Sequence, residues 1–432
     1  MLLALRGSAW TVAGYGASQL LRLAGQLILA RALLTPQAFG LVALVSVFLS
    51  GLDMLSDLGI GTDVVQHFRG DDPVFVNTAF LIQAVRGLVL WGIAAALAHP
   101  FASFYQQPAV EWMIFVAAAS IGFRNLASGS IWTMTRHVQL GKLTLLSVLS
   151  DAAGLAVSIA WAIVLPTAWA LVAGRVAGAA VYMIGSHLIA AHPVSLKWDS
   201  SAARSILAFG TGMFLSSATY FLSTEGERLA IGKYITVAEL GCFSLAVAMA
   251  WAPSRALQQV IGQVFFPMIA RAAREDRQAA VRDYRKVRLL VTAASVALGC
   301  GFILFGPLFV RLLLGDKYVQ AGWMLQLLGF RAAVELFSSC SVSMLFAIGS
   351  SRYAAIGNTA KLVFLSVGLA VAFARFGFRE AVWVLALSQL AHYVPQLCGL
   401  RRSCEPAVKS EAVCFAILLL AAGASAATTR AV

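Results

Sequence analysis

The feature that most constrains this chain is the recurrence of apolar stretches about twenty residues long, the length a helix needs to cross a bilayer. Twelve are read at about 8–31, 39–60, 76–98, 109–133, 143–165, 168–191, 205–224, 237–265, 288–313, 322–349, 357–376 and 380–400, with a thirteenth at about 411–428. Only 12% of the residues are charged, against about 25% in a soluble domain, so the chain reads as a polytopic membrane protein. Only Arg6 precedes the first segment, which is long enough to span and reads as an uncleaved first helix. The six cysteines include no CxxC pair and the six histidines no HExxH, so neither a metal site nor a cofactor is expected.

A formal charge of +13 would suit nucleic acid, but the basic residues lie mostly in short loops between apolar segments. That pattern sets topology rather than a nucleic-acid face. With the N-terminus cytoplasmic, the inner loops hold Arg69, Arg136, Lys142, Lys197, Arg204, the run from Arg271 to Arg288, Arg352, Arg401, Arg402 and Lys409, while HPFASFYQQP and PTAW outside carry no Lys or Arg. The polar stretch RAAREDRQAAVRDYRKVR (271–288) reads as an amphipathic cytoplasmic helix joining spans eight and nine and touching anionic headgroups.

Shifting the chain by 201 residues lays LTPQAFGLVAL (34–44) over ITVAELGCFSL (235–245), matching Thr35 to Thr236 and Gly40 to Gly241. The polar positions say more. Tyr15, Gln19, Arg22 and Gln26 form one helical stripe, and the shift carries them onto Ser216, Tyr220, Ser223 and Glu227. Ser46, Ser50, Asp53, Asp57 and Gly61 form a second stripe down span two, and its last three members map to Ser254, Gln258 and Gly262. Such faces look at protein or at a water-filled cavity, not at lipid. The expected fold is therefore all-α, two six-helix lobes in parallel repeat around a central cavity. The boundaries are an N-terminal lobe at 1–200, a C-terminal lobe at 201–400 and an additional span in 401–432.

Arg22, Arg86, Arg124, Arg175 and Arg331 fall inside spans and would cost on the order of 15 kcal/mol if unpaired and dry. They must be paired or wet. Arg22 or Arg86 could pair with Asp53 or Asp57, Arg331 with Glu335, and Arg175 with Asp151. Arginines nonetheless outnumber carboxylates deep in the spans, an excess that an anionic cargo would neutralise. The guanidinium fork binds phosphate oxygens two at a time and never loses its charge. Arg22, Arg86, Arg124 and Arg331 are the expected contacts to a pyrophosphate; Tyr15, Gln19, Gln26 and Tyr220 would suit a glycan; Asp53, Asp57 and Glu227 would couple an ion or pair with the arginines.

The stretch ARALLTPQAFGLVALVSVFLSGLDMLSDLGIGTDVVQ (30–66) resembles the opening helix pair of Wzx-type polysaccharide flippases, the lipid-linked oligosaccharide exporters of the multidrug/oligosaccharidyl-lipid/polysaccharide exporter superfamily. SIWTMTRHVQLGKLTLLSVLSDAAGLAV (130–157) is similar to the element after their fourth span. The resemblance covers about the first 400 residues and implies two six-helix lobes about a central cavity, alternating access, and a polyprenyl-pyrophosphate-linked glycan as cargo. The thirteenth span departs from a twelve-helix count; related exporters with fourteen are expected.

Three functions are weighed. A flippase would move a lipid-linked oligosaccharide or exopolysaccharide unit from the cytoplasmic to the outer leaflet, coupled to H+ or Na+, beside a polysaccharide polymerase. A multidrug antiporter of the same superfamily would favour interior acids, because its cargo is cationic. A membrane glycan polymerase or ligase would carry a large outer loop, and none here exceeds about a dozen residues. A non-enzymatic flippase is expected. Arginine outnumbers lysine 25 to 7, which suggests a GC-rich bacterium and, with the resemblance, its inner membrane.

Overall fold

The computed structural model describes residues 16–190, 195, 197–208, 210, 217, 221 and 225–403. Tyr15, Tyr220, most of span seven and the thirteenth span lie outside the described residues. Eight described helices are long and apolar enough to cross a membrane, or nine if the bent pair Pro108–Asn125 and Ser130–Arg136 is one span.

Two compact units form, Met1–Lys233 and Tyr234–Val432. The first begins with α1 (16–28), which runs into a π turn at Leu29–Leu33. Next come α2 (Pro36–Leu55), short α3 (Ile60–Gln66), α4 (Pro73–Phe104), α5 (Ala109–Asn125) and short α6 (Ser130–Arg136). It continues with α7 (Leu140–Val164), α8 (Trp169–Leu188), α9 (200–208) and α10 (Gly226–Tyr234), whose last residue opens the second unit. The second unit holds α11 (Val237–Val260) with a π turn at Ile261–Phe265, α12 (Phe266–Glu275), α13 (Arg277–Leu313), α14 (Ala321–Ala347), α15 (Arg352–Arg375) and α16 (Phe378–Ser403).

The starts of these helices are written in the sequence. Thr35 precedes Pro36 at N1, where a missing N–H costs nothing. Thr236 and Glu239 close a reciprocal capping box at the start of α11. Asp72 accepts the N–H of Val74 ahead of Pro73 in α4. In the first unit α2, α4 and α8 pack on α5, and α7 packs on α8. In the second, α11, α13 and α16 pack on α14, and α15 packs on α16. The neighbours thus recur in the same chain order. Pro307 shows how a buried break is repaired: it cannot donate to Ile303, and Gln326 Nε2 supplies that carbonyl instead, at 2.8 Å.

Two sequence expectations are corrected. Span two does not run unbroken to residue 60: α2 ends at Leu55, and Gly59 takes a left-handed conformation (φ 60°) before α3. Asp57 therefore does not extend the helical stripe of Asp53. It accepts the Gly59 N–H at 2.9 Å and braces the break. The polar stretch 271–288 is not one helix either. It divides at Asp276, its first part ending α12 and its second opening α13. The first compact unit runs to Lys233. The approach to α9 is tied to α4 by the Ser195 N–H to Asn77 Oδ1 and the Asp199 N–H to Thr78 Oγ1. Ala202 and Ile206 then pack with Val64, Phe75 and Ala79.

Candidate functional site

The first unit holds an open cavity of about 550 Å3 lined from α1, α2, α5, α7 and α8. Its wall depends on close approach of α7 and α8. Ser150, Gly154 and Ser158 face Gly174 and Gly178, residues four apart on each helix. A Cβ at Gly154 would lie 2.7 Å from the Gly174 carbonyl oxygen, and one at Gly178 2.9 Å from that of Ser150. This seam brings Asp151 and Arg175 to the cavity wall beside Arg22, Gln26, Asp53 and Arg124. The π turn that ends α1 adds Leu29 to the lining.

The charges sort into engaged and bare. Arg22 donates two bonds to Asp151, Nε to Oδ2 at 3.2 Å and Nη2 to Oδ1 at 3.1 Å. Its partner is thus neither Asp53 nor Asp57, and Asp151 does not serve Arg175. Arg86 sits behind the wall on α4, where Nη2 reaches Asp53 Oδ1 at 2.9 Å and the Asp53 carbonyl at 2.7 Å. It also donates to Ser56 Oγ and to Asn125 Oδ1. Arg86 thereby ties the carbonyl end of α2 to α4 and α5, where a cation also suits the helix dipole.

Arg124 and Arg175 have no carboxylate partner among the described residues. Arg124 lies over the Tyr182 ring, 5.4 Å from its centroid. Arg175 donates to Ser120 Oγ at 3.2 Å and to Ser46 Oγ at 3.4 Å. Both residues are exposed and line the cavity. Four arginines against two aspartates leave two positive charges, both on the bare pair.

The other expected site residues scatter. Gln26 and Asp53 line the cavity, while Gln19 is half-buried on α1. Glu227 is buried in α10, next to an Arg228–Glu225 pair at 3.0 Å. Arg331 belongs to the second unit, buried in α14 with its guanidinium 5.7 Å from the Trp251 ring centroid. Arg175 was not among the expected pyrophosphate contacts, and its exposure depends on the α7–α8 seam. The Gly174–Gly178 spacing was the available signal for that seam.

Outside the spans, Arg69 pairs with Asp72 at 2.7 Å and with Asp199 at 2.8 Å. The Ser201 hydroxyl and Arg69 hold the Asp199 carboxyl well below the usual carboxylate range. Arg136 donates to the Val65 and His67 carbonyls, capping the end of α3, and pairs with Asp71.

The chain can now be set beside known proteins. Residues 28–322 match the family model described as "Polysaccharide biosynthesis protein". Among curated proteins it is 22% identical to the lipopolysaccharide biosynthesis protein WzxC of Escherichia coli (strain K12), over 72% of this chain and 61% of that one. It is 21% identical to the succinoglycan biosynthesis transport protein ExoT of Rhizobium meliloti (strain 1021), over 56% and 48%. The match thus spans about half to three-fifths of those relatives' length. Among solved structures it superposes on the lipid II flippase MurJ in an inward closed conformation with a TM-score of 0.70 at 10% identity, covering 98% of this chain and 90% of that one. It superposes on an inward-facing multidrug resistance MATE family transporter of the MOP superfamily at 0.64 and 13% identity, covering 89% and 94%. At such identities the structures speak for the fold alone. Because the family model covers well over half of its length, the chain belongs to the polysaccharide biosynthesis protein family.

Proposed function

We propose that the chain flips a polyprenyl-pyrophosphate-linked oligosaccharide or exopolysaccharide unit from the cytoplasmic to the outer leaflet of a bacterial inner membrane. It does so by alternating access, coupled to an ion, with the N-terminus cytoplasmic and a polysaccharide polymerase as the downstream partner. The observation that carries this reading is the bare pair, Arg124 and Arg175, accessible in a cavity whose two aspartates are already taken by Arg22 and Arg86. Two guanidiniums without counter-charge suit the oxygens of a pyrophosphate. Arg22 stands beside them in an ion pair that cargo phosphate could compete for. Gln26 offers an amide to sugar hydroxyls. The apolar lining from Leu21, Leu29, Leu155 and Leu171 accommodates the start of a lipid chain.

Alternation needs two bodies, and the shared order of helix neighbours in the two compact units supports reading them as a parallel repeat. The names of WzxC and ExoT point the same way, and a fold like that of the lipid II flippase MurJ is compatible with it. The multidrug reading draws on the MATE likeness, but a cavity with two uncompensated positive charges repels a cationic drug.

The test is Arg124→Ala with Arg175→Ala in a strain lacking the chromosomal copy. Surface glycan should fall at least tenfold while lipid-linked intermediate accumulates at the cytoplasmic face, at unchanged membrane levels of the protein. Normal surface glycan from the double variant would sink the phosphate role of this cavity.

A further inference from the structure

Asp63 belongs to no expected site, yet among the described residues it is the one buried aspartate of the first unit. It lies on α3 and is only 6% exposed, and its Oδ2 is buried without a hydrogen-bond partner. Every described cation around it is engaged elsewhere. On its own helix end, His67 Nδ1 accepts the Arg69 N–H at 3.1 Å. The other ring nitrogen, Nε2, faces Ser205 Oγ on α9, and the ring is stacked between Phe68 and Phe75. From α6, Arg136 is spent on the carbonyls that end α3 and on Asp71, to which His137 Nε2 also bonds. From the turn before α4, Arg69 is taken by Asp72 and Asp199. Arg204 on α9 is exposed. An ionised carboxylate in that seat would be a buried charge with one oxygen left without a donor, and burial of that kind favours the protonated form.

We infer that Asp63 is a proton-binding group, carrying its proton while α3 sits between α4, α6 and α9 and releasing it to water only when α3 leaves that seat. Burial pushes the carboxyl above its ordinary value and nearby His67 offsets this only in part. The seat is mechanically joined to the cavity. The break at Ser56–Gly59 connects α3 to α2, and Ser56 Oγ accepts from Arg86, the same side chain that holds Asp53 on the cavity wall. Movement of α3 therefore reaches the arginines through one hinge. This last step rests on the proposed transport function; the protonation itself does not. The expected ion-coupling aspartates are otherwise engaged, Asp53 with Arg86 and Asp57 with the Gly59 N–H.

The experiment is infrared spectroscopy on the full chain in lipid nanodiscs, with aspartate carbon-13 labelled at its carboxyl. Wild type in mildly acidic buffer should show a C=O stretch of a protonated aspartic acid that moves with the isotope and with D2O and fades as pH rises. Asp63→Asn should lack it. If that variant does not accumulate, Asp63→Glu serves, because it takes the band out of the aspartate label. Thermal stability gives a second reading. Below the unfolded carboxylate's value of about 3.8 both states hold the proton. Above it the unfolded chain loses the proton first, so wild-type stability should fall with rising pH until the folded carboxyl titrates, then level off. Asp63→Asn should remove that fall. Absence of a protonated aspartate band in wild type, or its survival in both variants, overturns the proposal. A failed cavity test with Arg124→Ala and Arg175→Ala leaves this band in place, so the two readings fail separately.

Discussion

The two units handle the same residue type in opposite ways. In the first, Arg124 and Arg175 line a cavity and, among the described residues, bond to hydroxyls or lie over a ring. In the second, Arg288 is 3% exposed, donates to the Phe337 carbonyl, Ser341 Oγ and Tyr393 Oη, and lies against the rings of Phe337, Tyr284 and Tyr393. One arrangement keeps the charge wet and available. The other spends every face of it on the protein. An arginine inside a span is thus not by itself a cargo contact; what surrounds the guanidinium decides.

The sharpest way to break this contrast is to remove Arg288. Arg288→Ala leaves a buried carbonyl and two hydroxyls short of a donor and opens a void between three rings, at roughly 3 kcal/mol or more. The variant should fail to accumulate, or should melt far below wild type in detergent. Arg175→Ala, by comparison, should accumulate normally. Equal stability of the two variants would erase the distinction between dry and wet arginines.

Next comes the α7–α8 seam, which has no cargo role of its own but sets where Arg175 and Asp151 stand. Gly154→Ala puts a Cβ against the Gly174 carbonyl, and backbone cannot rotate away as a side chain could. Overpacking of this kind costs about 1–3 kcal/mol. Melting should drop accordingly, and export should drop with it even though no charge has changed. Gly92, whose Cβ would meet nothing within 4 Å, is the control: Gly92→Ala should be silent in both measurements.

A smaller effect is expected at Arg22. Its pair with Asp151 is over half exposed on the arginine side, and exposed pairs are worth about 0–1 kcal/mol. Arg22→Ala should accumulate at normal levels and lose most export, while Arg22→Lys, which keeps the charge without the fork, should retain part of it. A collapse in membrane level would instead make Arg22 a structural residue, and Asp151→Asn should then reproduce the collapse.

Much of this was legible in the residues. Apolar length placed most of the described spans, and a resemblance carried by residues 30–66 led to the right family. Side-chain pairing was legible only in part, since Arg86 with Asp53 was among the expected pairs. Arg22 meets Asp151 across 129 positions, a contact no periodicity encodes, and the spacing that made Asp57 look like a helical neighbour of Asp53 could not reveal a break. Gly59 was the residue to weigh: a glycine after LSDL can take the left-handed conformation that ends a helix, which most residues avoid. Asp63 escaped notice because GTDVVQ reads as a polar exit from a span, and only the packing of α4, α6 and α9 buries it.

The smallest effect concerns Asp57. Its carboxylate accepts one N–H from Gly59 across a two-residue turn, and an amide oxygen can accept the same bond while tolerating the turn. Asp57→Asn should therefore change melting by no more than a few tenths of a kcal/mol and leave export near wild type. Asp57→Ala removes the acceptor and should cost about 1 kcal/mol, as loss of a helix cap does. If Asp57→Asn abolishes export while Asp57→Ala is no worse, the negative charge itself is needed. The boundary between bracing residues and working residues would then have to move to include it.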